Sequence, residues 1–280
     1  MDKKKIDLHV HSTASDGTLT PAQLVEEAKS AGLAAFALTD HDTVDGIAEA
    51  KNAAQNSNIE LVPGVELSTD FEGTEVHMVG LYLDETNQRL LQHLEHFRDN
   101  RDNRNLKMYQ KLREEGFDIT EKALREMFPD AVLTRAHVAR FLLDKGYIKS
   151  IAEAFDTYIG DGCRCHIPRE KISPQEAIEL IHSAGGKAVL AHPILYHLID
   201  AKLKELLDIC TECGLDGIEA YYSTYQPDDE RYIKKLAAQY HLNLSGGSDF
   251  HGSNKPHIKL GSGMGNLFVP YELLEHFRIC

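Results

Sequence analysis

The chain has 280 residues, 42% hydrophobic and 26% charged, with a formal net charge of −14 at pH 7. That composition is that of a soluble globular protein long enough for two domains or one large α/β barrel. The acidic balance weighs against a sequence-independent clamp on long duplex nucleic acid, and no apolar run approaches the roughly 20 residues that span a bilayer. The opening MDKKKID runs straight into a strand pattern without a signal-peptide core, so a cytoplasmic address is expected.

KIDLHVHS reads as a first strand, and PAQLVEEAKSAG as a helix with proline at its start and glycine at its end. AAFALTDHD is a strand, VDGIAEAKNAAQNS a helix and IELVPGVELSTD a strand; the glycine in DFEGTEVHMVGLYLD predicts a hairpin turn into another strand. From Asn87 to Cys165 the β pattern stops. NQRLLQHLEHFRDNRDNRNLKMYQKLREEG, TEKALREMF, TRAHVARFLLDKG and SIAEAFDTYIG all read as helices. Alternation resumes with SPQEAIELIHSAGG, KAVLAHP, a long helix ending at Gly214, LDGIEAYY, PDDERYIKKLAAQYH and LNLSGGSDFHG. Repeated β-α units predict a mainly parallel sheet covered by helices, formed by residues 1–86 and 166–280. Residues 87–165 form a helical insertion, or cap. Within it, Phe97–Gly146 holds 11 Lys and Arg against 9 Asp and Glu, which makes it the least acidic part of the chain.

Side chains of a strand alternate faces, so His9 and His11 point the same way, as do Asp249 and His251. His41, Glu66 and His192 also end apolar runs, and His77 lies inside EVHMVG. In a closed parallel barrel such strand ends converge on one mouth. A single histidine there is usually a hydrogen-bonded structural residue; a histidine or carboxylate at nearly every strand end is not a set of accidents. Mixed imidazole and carboxylate donors suit zinc, manganese or iron. His9, His11, Asp16, His41, Glu66, His77, His192, Asp249 and His251 are too many for one ion and, with a bridging carboxylate and a bridging hydroxide, enough for three at about four to five ligands each. Three divalent cations against three carboxylates leave a site near +3 in charge, suited to an anionic phosphate ester.

Other residues carry weaker expectations. Asp40 and Asp42 flank His41, and one of them is expected to orient a ligand. Tyr221, Tyr222 and Tyr225 suit packing or stacking on a base. His93, His96, His182, His197, His241, His257 and His276 read as structural. Cys163, Cys165, Cys210, Cys213 and Cys280 are an odd number and do not predict a disulfide framework. The two close pairs leave a structural zinc site as an alternative to plain burial.

The motifs His9-x-His11, Ser15-Asp16-Gly17, Thr39-Asp40-His41-Asp42, Pro63-Gly64-Val65-Glu66, Ala191-His192-Pro193 and Ser248-Asp249-Phe250-His251-Gly252 resemble the polymerase and histidinol phosphatase (PHP) superfamily of metal-dependent phosphoesterases. The resemblance covers essentially the whole chain and implies a distorted (β/α)7 barrel with a trinuclear centre. It places His9, His11, Glu66 and Asp249 on one ion, Asp16, His41 and His251 on a second, and Glu66, His77 and His192 on a third, with Glu66 bridging. The ions would be Mn2+, Fe2+ or Zn2+. Some relatives carry histidine where this chain has Asp16, and the aspartate lowers the charge of that pocket.

The insertion, with Arg101-x-x-Arg104-Asn105 and Thr134-Arg135-Ala136-His137, resembles the branch that removes the 3′-phosphate of nucleoside 3′,5′-bisphosphates, some members of which also trim short RNA from its 5′ end. The expected reaction is in-line attack by a metal-bridging hydroxide. Arg135 would offset phosphoryl charge and His137 or a metal-bound water would protonate the leaving oxygen, with Arg101 and Arg104 as further substrate contacts; the bland reading makes these arginines solvated helix faces. The partner is thus a nucleotide or short oligoribonucleotide, with neither long duplex nucleic acid nor membrane. Two readings compete with this one: a histidinol-phosphate-type small-molecule phosphatase, and a non-catalytic metal-binding module associated with a DNA polymerase.

Overall fold

The computed structural model describes residues 4–55, 57–129, 131–168 and 171–278, so Cys280 lies outside the described residues. The chain forms two compact units, one from residues up to Gln92 together with those from Lys171 onward, the other beginning at His93. Among the described residues no helix is long and apolar enough to cross a membrane.

The first unit is built on a mixed sheet. Its strands are β1 (Lys5–Val10), β2 (Leu33–Leu38), β3 (Glu60–Phe71), β4 (Thr74–Leu81), β5 (Lys187–Leu190), β6 (Gly217–Tyr222), β7 (Asn243–Gly247) and β8 (Val269–Pro270). They lie in the order β7-β6-β5-β4-β3-β2-β1-β8. All neighbours among β1 to β7 are parallel except β4, which runs antiparallel to both β3 and β5. The two-residue β8 pairs antiparallel with the start of β1. At the other end of β1, Asp249 N–H donates to His9 O at 2.9 Å and His11 N–H to Phe250 O at 3.0 Å. Those two bonds bring the chain leaving β7 back onto β1 and nearly close the barrel. The eighth strand was not foreseen in the sequence, since two residues carry no periodicity.

Between the strands run α1 (Pro21–Ser30), α2 (Ile47–Ala54), α7 (Pro174–Ser183), α8 (Asp200–Glu212) and α9 (Pro227–Gln239), with α10 (Glu272–Arg278) after β8. Local chemistry starts α1 and α7 in the same way: Thr20 and Ser173 cap the first turn, Gln23 and Glu176 return the bond, and proline opens the helix. Proline costs nothing there because the first N–H groups have no helical partner. The α7 face Ala177, Ile178, Leu180 and Ile181 is buried. A core cluster joins Ile6 and Leu8 of β1, Ala35 and Ala37 of β2, Val79 and Leu81 of β4, and Leu274 and Phe277 of α10. Removing a buried phenylalanine such as Phe277 costs about 3–5 kcal/mol in a core of this kind.

The predicted hairpin joins β3 to β4. Glu72 and Gly73 take φ of 51° and 85°, the pair of positive values that a two-residue turn of the right twist requires. The turn reverses β4, so the barrel mouth meets the first half of that strand. That is why His77 lies inside its apolar run and not at the end of it.

The 27-residue α3 (Gln88–Glu114) leads into the second unit, which continues with α4 (Glu121–Met127), α5 (Arg135–Asp144), α6 (Ile151–Ala154) and a π-helical turn over Phe155–Ile159. Its own core gathers Met108, Tyr109, Leu112, Leu124, Val138, Phe141, Leu142 and Cys165.

Candidate metal centre

Glu66, at the middle of β3 and 1% exposed, organises the strand ends. Its Oε2 lies 3.1 Å from His9 Nε2, 3.2 Å from His11 Nε2 and 3.1 Å from His41 Nδ1. Its Oε1 lies 2.8 Å from His77 Nδ1 and 3.1 Å from His192 Nε2. Five imidazoles, two on β1 and β4 and three in the segments that follow β1, β2 and β5, therefore surround one carboxylate. Asp249 Oδ1 stands 3.3 Å from both His11 Nε2 and His251 Nδ1. Asp16 Oδ1 stands 3.2 Å from His251 Nε2, and its Oδ2 3.9 Å from His41 Nε2.

All nine residues singled out in the sequence thus meet in one buried cluster. Within 4.8 Å of one another lie the ligand atoms of His11, Asp16, His41 and His251; of His9, His11 and Asp249; of His9, Glu66 and His192; and of His41, Glu66 and His77. None of these groups includes a cysteine, and Cys163, Cys165, Cys210 and Cys213 are free. Cys210 is buried on the same face of α8 as Leu203, Leu206 and Leu207, the plain burial that its helical pattern allows.

These residues fit divalent ions. His9 Nε2, His11 Nε2, His41 Nδ1 and Glu66 Oε2 are buried without a hydrogen bond, although they lie close to one another. An unsatisfied buried polar atom costs about 1–3 kcal/mol, so lone pairs left converging in this way call for a cation. Donors on a common ion at about 2.0–2.2 Å lie roughly 3 Å apart, which is the spacing around Glu66. Imidazole with carboxylate selects zinc, manganese or iron over calcium.

The electrostatics point the same way. Burial pushes the Glu66 carboxyl upward, but the imidazoles of His9, His41 and His77 outweigh it and hold it well below the ordinary carboxylate range. Burial opposes a charge on His77 as well; Glu66 and Glu75 overcome it and raise that ring to about 10. His41 goes the other way, burial taking it down to about 3. Without ions, protons on some rings balance the carboxylates.

Several contacts aim the ligands. His9 Nδ1 lies 3.0 Å from Glu219 Oε1, and because a carboxylate only accepts, Nδ1 keeps a proton there when Nε2, on the Glu66 side, gives its lone pair to an ion. The other Glu219 oxygen accepts from the His192 main-chain N–H at 2.7 Å. His77 Nε2 is held by Glu75, which Lys171 braces at 2.6 Å. His251 Nδ1 is 2.9 Å from the Asp249 carbonyl. Both Asp249 and His192 sit at positive φ, 55° and 26°, a strained backbone of the kind that collects at functional sites.

Asp40, beside His41, bonds to the Ser12 N–H at 2.8 Å, the Ser12 hydroxyl at 2.6 Å and the Ser15 hydroxyl at 2.5 Å, and so braces the loop carrying Asp16. Asp42 accepts from Ser68 N–H at 3.0 Å. Tyr222 and Tyr225 follow the packing reading. Tyr222 and Tyr225 are buried, and Lys234 Nζ stands 4.0 Å from the Tyr221 ring centroid. Glu219, Asp7 and Lys255 escaped the sequence reading. The clue for Glu219 was a lone carboxylate inside the apolar strand GIEAYY, since a buried charge needs a partner. Asp7 is likewise wholly buried, bonded to Ser248 and Gly261, and burial pushes its carboxyl up to about 6.

The remaining candidates lie in the helical unit. Arg101 and Arg104 are buried on α3. Arg135 bonds to the Asp161 carboxylate at 2.5 Å. His137 packs edge-on against Phe128, and its Nδ1 accepts from the Thr134 N–H at 3.0 Å.

Comparison with known proteins agrees with the fold. The PHP domain matches residues 7–163. A 5′-3′ exoribonuclease of Haemophilus influenzae is 38% identical over 89% of this chain and 90% of its own. A 3′,5′-nucleoside bisphosphate phosphatase of Chromobacterium violaceum is 34% identical over 88% and 87%. A solved structure from Bifidobacterium adolescentis, described as a metal-dependent phosphoesterase, superposes with a TM-score of 0.88 at 30% identity, covering 98% of this chain and 95% of that one. With its barrel, its converging strand ends and these matches, the chain belongs to the PHP domain family.

Proposed function

We propose that this protein is a metal-dependent phosphoesterase of small nucleotides, removing the 3′-phosphate of nucleoside 3′,5′-bisphosphates and trimming short 5′-phosphorylated RNA. The observation that carries the reading is the set of ring nitrogens and carboxylate oxygens left converging around Glu66. The relatives named for these two activities span nearly the whole chain and support the substrate class.

His9, His11, Glu66 and Asp249 would hold one ion, Asp16, His41 and His251 a second, and Glu66, His77 and His192 a third, with Glu66 shared. The bound ions supply Lewis-acid activation of water and positive charge for the phosphoryl oxygens. The chain's own part is to keep imidazole lone pairs aimed inward, as Glu219 does for His9, and to exclude water from a cluster that is almost wholly buried.

Arg101, Arg104 and Arg135 are the proposed contacts for the substrate's other phosphate, on the least acidic segment of an acidic chain. His137 is the proposed proton donor to the leaving oxygen. Its Nδ1 accepts a main-chain N–H, so Nε2 is the ring nitrogen proposed to carry the donated proton. His137→Ala also removes a helix cap worth about 1 kcal/mol, so its melting temperature must be read beside its turnover. Full turnover on a substrate with a poor leaving group would end the role.

The test of the function is a panel of adenosine 3′,5′-bisphosphate, AMP, histidinol phosphate and a short 5′-phosphorylated RNA, with elemental analysis of the purified protein. Hydrolysis of the bisphosphate and the RNA is expected. Activity confined to histidinol phosphate would replace this reading with the small-molecule phosphatase.

A further inference from the structure

Asp249 gives its two oxygens to different partners. Oδ1 faces His11 and His251 at 3.3 Å each. Oδ2 accepts from the Tyr222 hydroxyl at 2.6 Å and from Lys255 Nζ at 2.5 Å. The two donors sit in different settings. Tyr222 is 4% exposed, and its ring lies against those of His192 and Tyr225. The Lys255 side chain is 36% exposed and can be reached from solvent. A buried phenol is enough to orient the carboxylate, so the lysine is redundant for that task.

Charge makes the lysine harder to explain as a brace. Three divalent ions against Asp16, Glu66 and Asp249 leave the loaded centre at about +3, and an ammonium beside it is repelled until an anion arrives. The chain nevertheless holds the lysine there on a built turn. Gly252 takes φ of 62° where a Cβ would come within 2.0 Å of Thr18 Oγ1. Ser253 N–H donates to that hydroxyl at 2.8 Å, and Asn254 Nδ2 donates to the main-chain oxygen of Asp16 at 2.8 Å. The turn carrying Lys255 is thereby tied to the loop carrying another ligand.

We propose that Lys255 is a substrate-binding residue whose ammonium passes from Asp249 to a phosphoryl oxygen of the substrate, while Tyr222 alone keeps Asp249 oriented toward the ions. The exchange favours a doubly charged phosphate monoester over a singly charged diester, because the added cation meets the larger charge. Lys255 thus biases the site toward monoesters. The inference rests on the ligand assignment made under the proposed function.

The experiment titrates inorganic phosphate into the ion-loaded protein by calorimetry, with ion content and melting temperature measured for each variant. Lys255→Met is expected to keep its ions and its melting temperature and to bind phosphate at least about tenfold more weakly, the loss of one charge-assisted hydrogen bond. Its kcat/KM on monoesters should fall further than on diesters. Lys255→Arg should retain most of the phosphate affinity. Tyr222→Phe should do the reverse of Lys255→Met, weakening ion retention while binding phosphate normally once saturated with ions. Phosphate binding by Lys255→Met equal to the parent, or loss of ions together with phosphate, overturns the proposal. A parent protein that retains no ions overturns the ligand assignment beneath it.

Discussion

Glu219 shows how one side chain can serve two ligands. One oxygen takes the His9 ring proton and the other the His192 main-chain N–H. Glu219→Gln keeps the shape but leaves only one acceptor, so one of the two ligands loses its partner. Affinity for the ions should fall about 10–100-fold, read by competition with a chromophoric chelator, with the circular dichroism unchanged. His77 gives a second prediction at this scale. Its pKa of about 10 in the ion-free protein means that it is protonated at pH 7, and an ion must displace that proton. Ion affinity should therefore rise with pH through neutrality, and calorimetry in two buffers of different ionisation enthalpy should detect proton release; no release would contradict the assignment of His77 as a ligand. The ligand candidates were legible because they stand at or just beyond strand ends, His9 with His11 two residues apart at the end of β1; Asp249 and His251 lie beyond β7, with Asp249 at φ of 55°, outside any strand period. Glu219 and Tyr222 were not, because their partners are distant in sequence: His9 is 210 residues from Glu219, and Asp249 is 27 from Tyr222.

Among the elements, the β3–β4 hairpin matters most to the centre. Its register places His77 beside Ser68, and Glu66 opposite Val79, so both ligands rest on the same pair of strands. Gly73→Ala forces a side chain into the left-handed region at a cost of about 1–2 kcal/mol, measurable by urea denaturation. An unchanged midpoint would show that the turn does not need glycine. The predicted helices and strands appear along the described chain because each carries its own signals, as the capped, proline-led starts of α1 and α7 show. The antiparallel direction of β4 could be suspected from the turn glycine alone, and its effect on His77 only from the closed sheet. β8 and α10 were missed: β8 exists only through its pairing with β1, and α10 is short.

At the scale of the molecule, a chain of net charge −14 concentrates imidazoles and three carboxylates in one buried cluster. Such a cluster is costly when empty, and a ligand that binds only the folded chain stabilises it by mass action. Adding the preferred ion at about 100 times its Kd should stabilise the chelator-treated protein by about 2.7 kcal/mol per independent site. A melting temperature indifferent to zinc, manganese and iron would contradict the ligand set. The central claim is tested most directly by incubating the ion-loaded protein with adenosine 3′,5′-bisphosphate and identifying the products. The account predicts inorganic phosphate and AMP, loss of the reaction in Asp16→Ala and His192→Ala variants that remain folded, and loss with chelator that is restored by metal. Undiminished hydrolysis in both variants, or no phosphate released by the ion-loaded parent, would contradict it.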